Sequence, residues 1–511
     1  MLRYTRIFLA TVSLLAVALL FIDVTGFAAV HWAWMAKWQL VPALLSLNIV
    51  IILILVALTL TLGRVYCSVI CPLGIYQDAV NRLRNATLGK KKRKAGRFRY
   101  HGSHRRLRHV FLGIFVVLIA CGFVAGVGTS YASLIEPYGA FGRMMTWLVR
   151  PGAAELNNAV ADAMNAEGNY LLFTARQLPL SVPLLAVAAL TFMTVTWLAW
   201  TGGRTYCNSV CPVGTVLGYL SKYSWLKPVI DTDKCIRCGA CARHCKASCI
   251  DSKNHKIDYT RCVTCFDCLS HCTEGAIRYV HKPAANDDKP KDKDPRADTK
   301  RRAFLAGGMM AAGAVAAKAV KSATDGGLAP MKTKKQPVRE VAVTPAGSVG
   351  AKWLAEHCIA CQLCITNCTS GLLRPSTDPA TFMQPVMSFT EGFCRPECTR
   401  CADICPAGAI QPIDRETKSS TKIGTAVVDL KSCISAAYGQ KCGNCSTRCP
   451  AGAIAMIPVS ESDSRLRPLV DAEACIGCGS CEYHCPVGKT GSIRAEYPAI
   501  HVEGLDIHRT I

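Results

Sequence analysis

The sequence predicts an α-helical membrane domain of four spans, a fifth span further along, and small α+β domains organised around cysteine. Three observations predict it. Half of the 511 residues are apolar, and four stretches are long enough to cross a bilayer. Thirty cysteines fall mainly into tight groups of four. A twelve-residue signature occurs twice, as "GRVYCSVICPLG" from Gly63 to Gly74 and as "GRTYCNSVCPVG" from Gly203 to Gly214.

The four spans run over Ile7–Val30, Leu40–Leu62, Val110–Thr129 and Leu180–Trp200. About twenty residues at a rise of about 1.5 Å match a hydrocarbon core of roughly 30 Å. The net charge of +24 requires a surface that faces polyanions. Twelve Lys and Arg lie between Arg82 and Arg108, which holds that loop in the cytoplasm against anionic lipid. Beside two spans, lipid rather than nucleic acid is the expected partner. The 31–39 loop and the 131–179 segment are then outside, and both CxxxCP signatures are on the cytoplasmic side.

Each pair of spans repeats one plan: apolar helix, acid–glycine turn ("FIDVTGF", "SLIEPYGAF"), apolar helix, signature. On one helix face, Cys67 would align with Cys71 and Cys207 with Cys211, and the following proline favours a break. Two-fold packing would bring the four thiols together as a redox or metal centre, either an iron–sulfur cluster or zinc. Separate dithiols or plain buried cysteines are the alternatives. Asp23 and Glu136 occupy matching outer positions. They read as proton acceptors for a quinol, or as turn residues at the interface. Cys121, inside the third span, reads as packing. No histidine sits inside a span, since His31 and His109 are at the edges, which argues against a membrane haem.

Cysteine spacing carries the rest. Cys235, Cys238, Cys241 and Cys245, then Cys262, Cys265, Cys268 and Cys272, are both C-x2-C-x2-C-x3-C. This is the spacing of bacterial ferredoxins with two [4Fe–4S] clusters. The fourth cysteine of each run serves the neighbouring cluster. One cluster therefore takes Cys235, Cys238, Cys241 and Cys272, and the other takes Cys262, Cys265, Cys268 and Cys245. Lys246 and Thr273 replace the usual proline, and Cys249 is spare. Four more runs follow: Cys358, Cys361, Cys364, Cys368; Cys394, Cys398, Cys401, Cys405; Cys433, Cys442, Cys445, Cys449; and Cys475, Cys478, Cys481, Cys485. That makes six [4Fe–4S] clusters, with a further iron–sulfur or thiol centre at the CxxxCP motifs. "CPAGAI" at Cys405 and at Cys449 predicts a glycine turn into a short strand. Structural zinc would separate its C-x2-C pairs more widely, and a disulfide scaffold would be shorter.

The domain plan is 1–225 membrane, 226–282 two-cluster ferredoxin-like, 283–302 charged linker, 303–321 signal or fifth span, 322–350 linker, and 351–511 four-cluster domain. "KRRAFLAGG" from Lys300 reads as a twin-arginine export pattern; the alternative is a cytosolic alanine-rich helix, which would leave all six cluster groups in the cytoplasm. Such export carries a domain already folded around its metal.

On these motifs, residues 1–280 resemble the NapH type of membrane quinol dehydrogenase component. Residues 300–511 resemble the NapG/MauM type of exported four-cluster ferredoxin. The resemblance implies a fusion, bacterial-ferredoxin-like α+β domains, and electron flow from quinol or menaquinone-type quinol to a periplasmic reductase or cytochrome. It also implies an inner-membrane, multi-pass protein with 226–300 cytoplasmic and 322–511 periplasmic. In the exported part it implies that the first run exchanges cysteines with the fourth, and the second with the third. Two other readings are a metalloenzyme maturation factor and reversed flow from a cytoplasmic electron donor to quinone. No nucleotide-binding glycine loop follows a predicted strand, which argues against NAD or flavin chemistry.

Overall fold

The computed structural model describes residues 1–87, 98–170, 172–281, 334–461, 463–488 and 495–511. The twin-arginine pattern, the charged linker, the fifth span over 303–321 and the centre of the basic loop lie outside the described residues.

Three helices are long and apolar enough to cross a membrane: Leu2–Ile22, Arg105–Ala125 and Val182–Gly202. The expected span Leu40–Leu62 is corrected, because it is broken into Leu40–Leu45 and Ile49–Leu62. Asn48 makes the break. Its side chain accepts the Ile51 N–H at 3.2 Å and caps the second piece. The 14 residues of that piece extend about 21 Å at the helical rise, short of the roughly 30 Å core. The first span likewise ends early, at Ile22. The Asp23 carboxylate accepts N–H groups from Thr25 at 2.8 Å and Ala28 at 2.6 Å and starts a new helix, Phe27–Lys37. Cys121 is exposed on its helix rather than packed in the core, a second correction. The 131–179 segment is largely helical, over Pro137–Met144 and Arg150–Ala166.

One apolar core runs through this domain. It includes Val17, Leu20, Phe21, Leu55, Tyr66, Phe115, Tyr138, Phe141, Val195 and Tyr206. It continues into Val263 and Cys265 in one direction and into Ile359, Cys361, Leu363 and Ile404 in another. Residues from both cysteine-rich parts are therefore buried against the helices, and they meet opposite ends. At the start of the first helix, Arg3 pairs with Asp267 at 3.0 Å. At its end, the Leu20 carbonyl accepts a hydrogen bond from Asn367 at 2.9 Å. A helix of 21 residues separates these contacts by roughly 26–30 Å.

The cysteine-rich parts are built from short helices and antiparallel strand pairs. In the first, Leu226–Ile230 pairs with Ile277–His281, and Ile250–Asp251 with Lys256–Ile257. In the second, Thr421–Val428 pairs with Ile500–Thr510, Ile454–Ser460 with Asp463–Val470, and Leu373–Pro375 with Pro385–Met387. The predicted turn after "CPAGAI" forms at Gly452, with φ 63°, and leads into a strand. Gly408 takes the same conformation, with φ 68°, but no strand follows it directly.

Candidate metal centres

The C-x2-C-x2-C spacing imposes a recurring backbone. In all four regular runs the residues flanking the second cysteine are left-handed: Arg237 and Gly239, Thr264 and Phe266, Ala360 and Gln362, Gly477 and Gly479, with φ between 47° and 76°. Only glycine adopts this region freely, and an ordinary residue costs about 1–2 kcal/mol there. Five such costs are borne by Arg237, Thr264, Phe266, Ala360 and Gln362. The return is that three thiols from one short loop turn toward a common point.

Each loop then closes with one cysteine from elsewhere. Cys235, Cys238, Cys241 and Cys272 line one cavity. Cys245, Cys262, Cys265 and Cys268 line the next. In the second half, Cys394, Cys398 and Cys401 face Cys368, and Cys358, Cys361 and Cys364 neighbour Cys405. Cys433, Cys442 and Cys445 meet Cys485, while Cys475, Cys478 and Cys481 meet Cys449. The runs thus exchange first with second and third with fourth. This overturns the expected pairing of first with fourth and second with third. The physical reason is proximity, since each run folds back on its sequence neighbour, as in the first half.

The donor set fits an iron–sulfur cubane. None of the thirty cysteines is paired in a disulfide. Among the described residues, no three Cys, His, Asp or Glu side chains come close enough to grip a single metal ion. The thiols stand around cavities instead, which suits a multi-atom cluster better than zinc. Cys249, which the sequence left without a role, lines the second cavity. Its sulfur is 3.5 Å from Cys245 and also bonds to Cys262.

The two CxxxCP signatures do not lie on a surface. Cys67, Cys71, Cys207 and Cys211 are each 3–4 % exposed. The turn of the first signature folds into the helical core at the level of Arg6 and Ser13, which donate to Ser68 O at 3.4 Å and Ile70 O at 3.5 Å. Nor does each pair share one helix face, as i,i+4 spacing suggests. Cys67 sits in a π-helical turn, Tyr66–Ile70, and the Cys71 N–H bonds back to Tyr66 O at 2.9 Å. Cys71 and Cys211 are extended, and Pro72 and Pro212 open the next helices. The two hairpins nevertheless bring the four thiols together around two arginines. Arg204 Nη1 donates to Cys67 O at 2.7 Å and to Cys207 Sγ at 3.8 Å. Arg64 Nη2 mirrors it, donating to Cys207 O at 3.4 Å and to Cys67 Sγ at 3.7 Å. Gln77 Nε2 donates to Cys207 Sγ at 3.1 Å. Gly74 and Gly214 leave room for this crossing. An added Cβ would lie 2.3 Å from Cys67 O in one and 2.1 Å from Cys207 O in the other.

Sequence reasoning missed the ionic hub beneath these thiols. Asp78 is buried and pairs with Arg6 at 2.8 Å, Arg204 at 2.8 Å and Lys246 at 2.9 Å. Lys246 also reaches Asp267 at 3.1 Å, and its carbonyl accepts the Arg204 N–H at 2.9 Å. The lysine that replaces the usual proline therefore ties the first cysteine-rich part to the helical domain. The arginines were visible in the signature, but their partners, over a hundred positions away, were not.

Asp23 and Glu136 both serve as helix caps, at matching places in the two repeats. Glu136 is buried and its carboxylate accepts the N–H groups of Tyr138, at 2.9 Å, and Gly139. Around it, the loop of Cys358–Cys368 is docked on the helical domain. Arg143 donates to Ala360 O at 3.4 Å, Trp147 Nε1 to Gln362 Oε1 at 2.8 Å, and Arg150 to Thr366 O at 3.3 Å. Gly142 lies so close that a Cβ there would be 2.5 Å from Cys361 O.

Comparison with known proteins agrees with the thiol geometry. A family model described as a 4Fe-4S binding domain matches residues 45–95 and again 183–231, the segments that carry the two CxxxCP signatures. Another 4Fe-4S binding domain model matches 226–247, and a 4Fe-4S dicluster domain model matches 439–489. The chain is 29% identical over 112 residues to the methylamine utilization ferredoxin-type protein MauM of Methylobacillus flagellatus, covering 21% of this chain and 47% of that protein. It is 24% identical over 184 residues to MauN of Paracoccus denitrificans, 36% of this chain and 48% of the relative. It is 32% identical over 54 residues to the delta subunit of an NADH-dependent phenylglyoxylate dehydrogenase of Aromatoleum evansii, 10% of this chain and 58% of the relative. The chain spans about half the length of the curated relatives it matches. No solved structure matches it. Matched models, relatives and thiol cavities converge on an iron–sulfur electron-transfer protein with several 4Fe–4S domains.

Proposed function

We propose that this chain oxidises quinol, menaquinol foremost, at its helical domain and delivers the electrons through its C-terminal half to a periplasmic reductase or cytochrome. The observation that carries the reading is the position of the cysteine cavities. One pair is tied to the start of the first long helix and the other set to its end. In this reading the helices cross the bacterial inner membrane, with 226–300 inside and 322–511 outside, as in a fusion of NapH-type and NapG-type proteins.

Six [4Fe–4S] clusters would be held by the six groups of four cysteines given above. Bound there, such clusters supply one-electron transfer at potentials set by burial and hydrogen bonding. The chain's own residues fix the spacing of the thiols through the left-handed loop positions and bury part of them, Cys241, Cys245, Cys358, Cys361 and Cys364 included. Quinol oxidation releases two electrons and two protons. Asp23 and Glu136, at the end where Cys358–Cys368 docks, are the carboxylates offered as proton acceptors. Burial pushes Glu136 up to about 7, against the N–H groups of Gly139 and Tyr138 and the charge of Arg143. That value suits an acceptor near neutral pH.

The test is to add a reduced quinol analogue to the anaerobically purified chain and follow bleaching of the visible cluster absorption. Bleaching is expected at menaquinol potentials. Absence of bleaching at every quinol potential would refute quinol oxidation.

A further inference from the structure

Four cysteines remain outside the ferredoxin-type cavities yet meet in the interior: Cys67, Cys71, Cys207 and Cys211. Their surroundings are electrostatically one-sided. Arg64 is fully buried, and its acceptors are Asn208 Oδ1 at 3.0 Å, Thr260 O at 3.1 Å, Cys207 O and Cys67 Sγ, none of them a carboxylate. Arg204, also fully buried, shares the single Asp78 carboxylate with Arg6 and Lys246. A buried guanidinium without a counter-charge costs several kcal/mol. Four neutral thiols would leave that cost standing, whereas four thiolates around a cluster would offset it.

Position adds a second argument. The turn that links Cys67 to Cys71 lies beside Arg6 and Ser13 of the first helix, between the Arg3 contact to the inner part and the Leu20 contact to the outer part. Toward the inside, Arg64 reaches Thr260, two residues from Cys262. Toward the outside, Tyr206 in the second signature donates to Ile135 O at 2.9 Å, next to Glu136 and the docked Cys358 loop. The inner and outer cavities are anchored at opposite ends of a helix about 30 Å long, farther than electrons pass efficiently in one step.

We propose that Cys67, Cys71, Cys207 and Cys211 together hold one iron–sulfur cluster, shared between the two hairpins, with Arg64 and Arg204 as its counter-charges and hydrogen-bond donors. Transfer of a preassembled cluster replaces four S–H bonds with four Fe–S bonds, releases four protons and changes no oxidation state. This rests on the electron-transfer reading above and supplies the centre midway between its two cluster groups. The double occurrence of one signature follows from it, since each hairpin contributes half of the ligands and the arginine that braces the other half.

The experiment uses the full chain, prepared without oxygen in detergent. Iron, acid-labile sulfide and zinc are measured per chain, and the paramagnetic spectrum is followed through a redox titration. Cys67→Ser combined with Cys207→Ser should lose one cluster's iron and sulfide and one spectral component, leaving the others in place. Arg64→Gln keeps all the ligands and covers the case in which the double variant fails to fold. It should retain the iron and shift only that component, to lower potential, because a positive neighbour of the reduced form is gone. Unchanged iron and spectrum in the double variant would overturn the proposal. So would stoichiometric zinc that the variant loses, or disulfides mapped between these cysteines. Failure of the ferredoxin-type reading would show differently, as missing iron and signals in the unaltered chain.

Discussion

Asp78→Asn should loosen the joint between the helical domain and the first cysteine-rich part. The substitution preserves shape and removes one charge. Asp78 is 4 % exposed and accepts from Arg6 at 2.8 Å, Arg204 at 2.8 Å and Lys246 at 2.9 Å. Those three cations are themselves 3 %, 0 % and 7 % exposed, so water cannot replace the lost carboxylate. Breaking one buried pair from one side costs about 3–5 kcal/mol. Here three cations depend on one anion, while the amide oxygen keeps one hydrogen bond and Asp267 still holds Lys246. A loss of about 3–5 kcal/mol is therefore expected overall. Denaturant unfolding of the full chain in detergent measures it, and amide exchange at residues 246–267 locates it. A loss under about 1 kcal/mol would refute the reasoning, because it would mean that the hub is solvated or that the cations pair elsewhere. The pH dependence has a definite sign. Burial alone would raise the Asp78 carboxyl, but Arg204, Lys246 and Arg6 hold it well below the usual carboxylate range. Its contribution is thus fully present above about pH 4 and is lost only as pH falls through the depressed value.

Three other outcomes are expected. Gly142→Ala places a methyl group 2.5 Å from Cys361 O and 2.8 Å from the Phe21 ring. Overpacking of this kind costs about 1–3 kcal/mol and should lower the iron bound by Cys358, Cys361, Cys364 and Cys405, as measured by metal analysis and spectra. Cys249→Ala removes a thiol 3.5 Å from Cys245 Sγ. Iron content should hold, while the potential of that one centre falls by on the order of tens of millivolts with the loss of a donor to its ligands. Glu136→Gln should flatten part of the pH–stability profile. With Glu136 raised to about 7 by burial, its protonated form favours folding below its ordinary value near about 4.3. That stability declines as pH rises through about 7, and thermal unfolding from pH 5 to 8 with and without the change would reveal it.

The cysteine cavities were legible in the sequence because their geometry is local. Two-residue gaps force the left-handed turn, and the fourth cysteine lies one helical turn further on. The choice of partner run was not legible, since Cys368 could close a loop of any neighbour, and only the folded chain sets it beside Cys394. The signature repeat was plain from Gly63 and Gly203. Its depth was not, because a π turn and an extended Cys71 replace the continuous helix that i,i+4 spacing suggests. Asn48 broke a span that hydropathy alone joined, as one capping side chain outweighs the average of its neighbours. The docking of Cys358–Cys368 onto Arg143, Trp147 and Leu20 joins residues more than two hundred positions apart. No periodicity or spacing encodes such a contact.

Electron passage through the helical domain can be measured in sealed vesicles holding the full chain in one orientation. Ferricyanide is trapped inside, and an impermeant low-potential reductant is added outside. Bleaching of the trapped ferricyanide should follow, and it should vanish when Cys67 and Cys207 are both changed to serine. Clusters that reduce on the outer side while the trapped oxidant stays coloured would mean that the two groups of thiols are electrically separate, and that the chain does not carry electrons across.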